Sequence, residues 1–245
     1  EQVKNISIGE KYICIVCNLM YEKRLPYRES FLKGEKIMMN KNKVVLCGKI
    51  TDPFEIAFVM GGYTYLKTRM TIKRYSQYED VIPLIIRQDL LLKNNCEYRN
   101  KFFEVKGSFN SKNRADHSIS LFVYVKELNI LKKELYKNQI IFDGFLCKKP
   151  VLRTTPLGKE ITDLCVATNR KFTISDYIPC ICWGKDAIEC GKLKISTHLY
   201  LQGRIQSRIY CKSTDNGELE KEAYEVSVKK IKTDSAAICK ITKVS

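Results

Sequence analysis

Four aromatic residues, Phe172, Tyr177, Trp183 and Tyr210, lie in one stretch among Arg170, Lys171, Lys185, Arg204 and Arg208. Aromatic rings give unpaired bases a surface to stack on, and cations between them neutralise phosphates. Together they form a recipe for holding single-stranded nucleic acid. Within Asp176–Gly184 the residues alternate. Tyr177, Pro179, Ile181 and Trp183 share one parity, and Ile178, Cys180 and Cys182 share the other. On a strand of period two, Tyr177 and Trp183 face the same side, and the small apolar residues take the core side. Arg153 is a further candidate phosphate contact.

The elements that must position these groups are bounded by composition. A chain of 245 residues fits one large domain or two of about 100 residues. Hydrophobic residues make up 44%, enough to build cores. The net charge of +16 divides as +2 over residues 1–37, +8 over 38–137, +5 over 138–233 and +1 over 234–245. A folded chain with so basic a balance over two halves is drawn to polyanions, nucleic acid first among them. No long basic amphipathic helix supports a membrane surface, and no apolar run approaches the ~20 residues that span a bilayer.

The eleven cysteines read as small buried hydrophobes in a reducing cytosol, with Cys47, Cys147, Cys165, Cys180 and Cys182 each in strand-like apolar runs. The one CxxC, Cys14 to Cys17, has no second pair at zinc-ligand spacing, and there are two histidines. No metal site and no cofactor are expected.

The chain opens on Glu1, and Leu32-Lys33-Gly34-Glu35 reads like a translated purine-rich stretch just ahead of Met38-Met39. Residues 1–37 are therefore expected to be a leader, with the biological start at Met38 or Met39; a genuine appendage is the alternative.

Beyond Met39 an internal repeat organises everything. Gly48 and Gly144 stand 96 residues apart, as do Gly62 and Gly158, Arg74 and Arg170, Asp80 and Asp176, Pro83 and Pro179, and Gly107 and Gly203. A period of that length means duplication of a whole small domain, because solenoid repeats run ~20–50 residues. Strands are predicted at 43–50, 63–73, 81–87, 102–110 and 119–128 in the first copy. In the second they fall at 139–146, 160–168, 177–183, 199–209 and 223–231, with enrichment in valine, isoleucine, tyrosine and phenylalanine. One or two helical turns are predicted over 88–96 and 185–193, between strands three and four of each copy. The fold class is mostly β: two tandem five-stranded OB-fold barrels. Pro83 and Pro179 require strand three to have its local N–H facing outward or at a bulge. Asp215-Asn216-Gly217 marks a hairpin tip.

The second copy resembles the bacterial single-stranded DNA-binding protein (SSB) family. The resemblance rests on Gln139–Gly144, Pro156–Gly158, Val166–Arg170, Asp176–Lys185, Gly203–Tyr210 and Glu225–Val228. It implies that Phe172, Tyr177, Trp183 and Tyr210 are the four positions on which DNA bases stack. The two-copy chain looks like the tandem-OB SSB proteins of clostridial and related bacteria. The expected organisation is a first, divergent OB-fold at 38–131, a linker at 132–137, a second at 138–233 and a tail at 234–245. Family members with one OB-fold work as tetramers, so a homodimer is expected, serving DNA replication, recombination and repair. The basic end Ile238–Ser245 departs from the acidic tail with which members recruit repair enzymes.

At the same offset the four rings of the second copy become Ser76, Val81, Arg87 and Arg114. The first copy therefore lacks the family's stacking platform. Arg69, Arg74, Tyr75, Tyr78 and Arg87 are its candidate secondary contacts. Single-stranded RNA binding and a pure interaction module of a replisome or mobile element are the rival readings, since stacking does not distinguish sugars. An enzyme is not expected: there is no Ser/His/Asp or Cys/His set, and the recurring Asp80 and Asp176 read as turn or capping residues.

Overall fold

The computed structural model describes residues 42–92, 98, 101–113, 119–170, 174–214 and 217–234, with the backbone alone at 92, 210–214, 217–219 and 221. The expectations for residues 1–37, for the Asp215-Asn216 tip, for the second helical turn after Leu92 and for the basic end lie outside the described residues.

The first half contains β1 (Asn42–Ile50), β2 (Glu55–Met60), β3 (Tyr63–Lys73), β4 (Glu79–Arg87), α1 (Gln88–Leu92), β5 (Phe102–Asn113) and β6 (Ile119–Leu131). The second contains β7 (Lys137–Leu146), β8 (Val151–Thr154), β9 (Glu160–Asn169), β10 (Ser175–Trp183), α2 (Lys185–Cys190), β11 (His198–Thr214) and β12 (Gly217–Thr233). The strands form one sheet in the order β2-β3-β4-β6-β5-β1-β7-β11-β12-β10-β9-β8. Additional β3–β1 and β7–β9 pairings close each half into a five-stranded barrel.

β2 and β8 lie outside the two closed rings, at the edges of the sheet, and they are the strands that residue patterning misses. The reason is physical. β8 is exposed along its whole length and β2 nearly so. Neither alternates apolar with polar residues or buries a face in the core; each is held by its ladder to β3 or β9.

Closure depends on glycine. β1 leaves β5 at Lys49 and joins β3 there, and a Cβ on the adjacent Gly48 would sit 2.3 Å from the Thr71 carbonyl oxygen. Its twin Gly144 is pressed against the Ala167 carbonyl in the same way, at 2.4 Å. Pro83 and Pro179 are accommodated because the parallel ladders from β4 to β6 and from β10 to β12 begin at the next residue, Leu84 or Cys180.

The barrels are joined symmetrically. β1 and β7 pair antiparallel so that Val44 faces its own repeat twin Ile140, with Asn42 opposite Phe142 and Leu46 opposite Asn138. Asp80 and Asp176, both buried, extend the reciprocity. The Ser207 backbone N–H donates to Asp80 Oδ1 (3.1 Å) and Val81 N–H to Ser207 Oγ (3.0 Å). In the twin arrangement Ser111 N–H donates to Asp176 Oδ1 (2.5 Å) and Tyr177 N–H to Ser111 Oγ (2.9 Å). Neither aspartate is a turn or capping residue, as their place before apolar runs had suggested. Both sit inside strands and fasten one barrel to the other.

The core is continuous, with Phe103, Phe109 and Phe142 among its largest fully buried side chains. Cys47, Cys180 and Cys182 belong to the interior, while Cys147 and Cys165 are half-buried. No helix among the described residues is long and apolar enough to cross a membrane.

Candidate nucleic-acid interface

The alternation in β10 divides its side chains as patterning requires, except at Ile181. Ile178, Cys180 and Cys182 are buried in the barrel. On the other parity Tyr177 and Pro179 are half-buried, Ile181 is buried, and Trp183 is 41% exposed. The Trp183 indole N–H donates to Ser227 Oγ on β12 (3.2 Å). That bond fixes the ring plane and leaves much of the ring open, which suits a stacking platform. Ser227 is opposite Arg204 on β11, so Trp183, Ser227 and Arg204 follow one another across three strands.

The cations divide into two groups. Lys185 is exposed on the first turn of α2. Arg208 is exposed, 3.6 Å from Glu225. Arg204 donates to Gln206 (3.2 Å) and lies 3.6 Å from Asp80; burial, helped by Arg74, pulls its guanidinium below the usual arginine range. It stays a cation nonetheless.

Arg170 belongs elsewhere. Its Nε donates to Asp176 Oδ2 (2.5 Å), and a terminal nitrogen bonds both Asp176 Oδ1 and the Ser111 carbonyl (2.7 Å). It is thus engaged in the cross-barrel fastening. Arg153 forms a two-pronged pair with Asp163 at 2.6 and 3.1 Å. Tyr210 lies in β11 opposite Lys221 by its backbone path. Phe172 and Lys171 are outside the described residues.

The first-copy candidates are likewise sorted. Arg69 pairs with Asp52 and reaches Glu222 (3.8 Å). Arg74 repeats the Arg170 bond, donating from Nε to Asp80 Oδ2 (2.8 Å). Tyr75 and Tyr78 are exposed in the turn between β3 and β4. Arg87 is chelated by Asp89 at 2.5 and 2.7 Å, and its guanidinium lies 4.5 Å from the centre of the Tyr63 ring. Beside it, Phe58 stacks on Tyr65 (4.7 Å between centroids, 22° between planes), and Tyr65 is 6.2 Å from Tyr124. Burial and a hydrogen bond with Tyr65 push the Tyr124 phenol above its ordinary value. These four rings do not stand at the repeat positions of the second-copy aromatics. Their signal in the sequence is the outward parity of Tyr63 and Tyr65 in Tyr63-Thr64-Tyr65. Among the described residues no group of three or more His, Cys, Asp or Glu side chains is arranged to hold a metal ion.

The model of the single-strand binding protein family matches residues 137–234. Single-stranded DNA-binding protein 2 of Listeria innocua is 36% identical over 80 residues, 30% of this chain and 50% of that protein. Single-stranded DNA-binding protein A of Bacillus subtilis is 34% identical over 80 residues, 30% of this chain and 46% of the relative. The chain thus spans about half the length of the curated relatives it matches. The fold of the wild-type single-stranded DNA binding protein from Thermus aquaticus superposes with a TM-score of 0.65 at 16% identity, covering 80% of this chain and 94% of the other. That likeness establishes the tandem OB-fold architecture.

Proposed function

We propose, from the match of residues 137–234 to the single-strand binding protein family, that the chain binds single-stranded DNA without sequence preference, as the replication, recombination and repair of DNA require. One observation carries this reading: Trp183 is held by Ser227 with its ring open to solvent on a face that also presents Arg204. Bases stack on Trp183 and Tyr177, with Phe172 and Tyr210 as the further stacking residues. Lys185, Arg204 and Arg208 make phosphate contacts, joined by Lys171. Arg153 and Arg170 contribute through the shape of the face rather than through a free charge, since their partners are Asp163 and Asp176.

The mechanism is binding, not bond-making. The matched family model is one of single-strand binding, and Asp80 and Asp176 are engaged by Ser207, Ser111, Arg74 and Arg170. Two chains form the assembly we propose, giving four barrels, and the cytoplasm is its place. Light scattering at several concentrations tests the dimer; a monomer throughout would refute it.

Trp183 is the single tryptophan of the chain, so binding reports on itself. Titration with oligo-dT quenches its fluorescence, and affinity falls steeply with added salt as condensed counterions are released. An unquenched signal at low salt overturns the reading. Stronger competition by oligo-U than by oligo-dT moves it to RNA.

A further inference from the structure

The positions that form the stacking face in the second barrel are differently filled in the first. By the repeat, Arg87 stands where Trp183 does. The parallel ladders match as well: Leu84 and Ile85 pair with Val123 and Tyr124, as Cys180 and Ile181 pair with Val226 and Ser227. Tyr124 therefore occupies the place of Ser227. On the neighbouring strand, Tyr63 and Tyr65 stand where the second barrel has Lys159 and Ile161. The ring lost at position 87 is replaced by rings on the strands beside it.

These rings are not core. Leu66, Thr68, Met70 and Ile72 are the buried inward residues of β3, so Tyr63 and Tyr65 point outward. Tyr65 is nonetheless only 7% exposed, flanked by Arg87 on β4 and Phe58 on β2. Tyr63 is 49% exposed. Cations already address two of the ring faces: Arg87 lies over Tyr63, and Lys112 Nζ is 5.6 Å from the centre of Phe58. Next to the cluster, a groove of about 340 Å³ is lined by Phe122 and, from the second barrel, Tyr224, with Lys67 and Arg69 paired there to Glu55 and Asp52. An exposed ring at Tyr63, with Arg87 over it and Lys112 beside Phe58, forms an arrangement suited to unpaired bases on a phosphate chain.

We propose that Tyr63 and Phe58, with Arg87 and Lys112, form a second base-stacking site, which engages the same DNA strand that the second barrel holds. The proposal rests on the single-stranded DNA reading above. Unpaired bases stack on the free faces of Tyr63 and Phe58 and on the guanidinium plane of Arg87, with Lys112 at a phosphate.

The test uses the full chain and oligo-dT carrying 5-iododeoxyuridine for photo-cross-linking, with the adducts mapped by mass spectrometry. Cross-links in peptides containing Tyr63 or Phe58 are expected beside those around Trp183. Tyr63→Ala should weaken binding of long oligo-dT roughly 5- to 150-fold, from about 1–3 kcal/mol per stacked base, and shorten the occluded length. A short oligomer of about 4–16 nucleotides, enough for one barrel, should still quench Trp183 in that variant. Tyr63→Phe should restore wild-type behaviour, and Phe58→Ala provides a second truncation. Cross-links confined to the second barrel, with Tyr63→Ala matching wild type on long oligo-dT, overturn the proposal. No cross-link anywhere, with Trp183 unquenched, overturns the single-stranded DNA reading and this site with it.

Discussion

The two barrels share a skeleton and differ in what they display on it. Gly48 and Gly144, Asp80 and Asp176, and Ser111 and Ser207 do the same work in each half. The exposed rings do not repeat: the second barrel carries Trp183 on β10, while the first carries Tyr63 on β3 beside Arg87. Residues that close and fasten the barrels are constrained by backbone contacts that either copy must make. Stacking rings are constrained only to reach a common face, and several strands supply that face. Duplication therefore preserved the first kind of residue and relocated the second.

The shared fastening should respond most strongly to substitution. Asp176→Ala leaves Arg170 and the Ser111 N–H without their buried acceptor, and loss of one partner of such a pair costs about 3–5 kcal/mol. Asp80→Ala should fall at the upper end of that range, because both Arg74 and Arg204 lie against Asp80. Urea denaturation of the two variants measures this. A loss under 1 kcal/mol in both would mean that the barrels hold together without the aspartates.

Closure should come next. Gly144→Ala and Gly48→Ala each drive a Cβ into a carbonyl oxygen, and overpacking of this sort costs about 1–3 kcal/mol. Equal losses in thermal melts are expected for the twins. A large loss at one and none at the other would show that closure is not equivalent in the two halves.

The displayed faces should separate in binding. Trp183→Ala should cost about 1–3 kcal/mol in affinity for oligo-dT of either length and leave the melting temperature unchanged, read by fluorescence anisotropy of labelled DNA. Loss of affinity accompanied by loss of fold would make Trp183 a structural residue.

The smallest effect is one of pH. His198, the repeat twin of Phe102, lies between Asp143 (3.3 Å) and Asp234 (3.2 Å), and Asp143 is the twin of Cys47. Burial alone would lower the His198 pKa, but the two carboxylates outweigh it and the imidazolium is favoured. A histidine pKa raised on folding stabilises the protein fully below the unfolded value near 6.5, and that increment is lost as pH rises through the folded pKa. Urea midpoints between about pH 5 and 8 should fall with rising pH. The double substitution His198→Phe/Asp143→Cys, which copies the first barrel, should flatten that slope; an unchanged slope would place the titrating group elsewhere.

The ten main strands were legible because alternation and the 96-residue offset reinforced one another at Val44/Ile140 and Pro83/Pro179. The ion pair of Arg170 was legible too: Arg74 and Asp80 recur as Arg170 and Asp176 in copies that do not share their rings, which indicates a pair serving the fold. The cluster at Tyr63 was harder to read, its signal being no more than the outward parity of Tyr63 and Tyr65. An offset compares position with position, whereas Phe58, Tyr65, Arg87 and Tyr124 come together from four strands.

Period, glycine placement and repeat are properties of a line of residues, so the tandem barrels and the candidate stacking strand β10 were already legible there. Folding supplied the rest: which arginines are held by carboxylates, how Asp80 and Asp176 join the halves, and where the first barrel keeps its rings. Those outcomes depend on distances between strands far apart in the chain, and β-sheet pairing fixes such distances only when the barrels close.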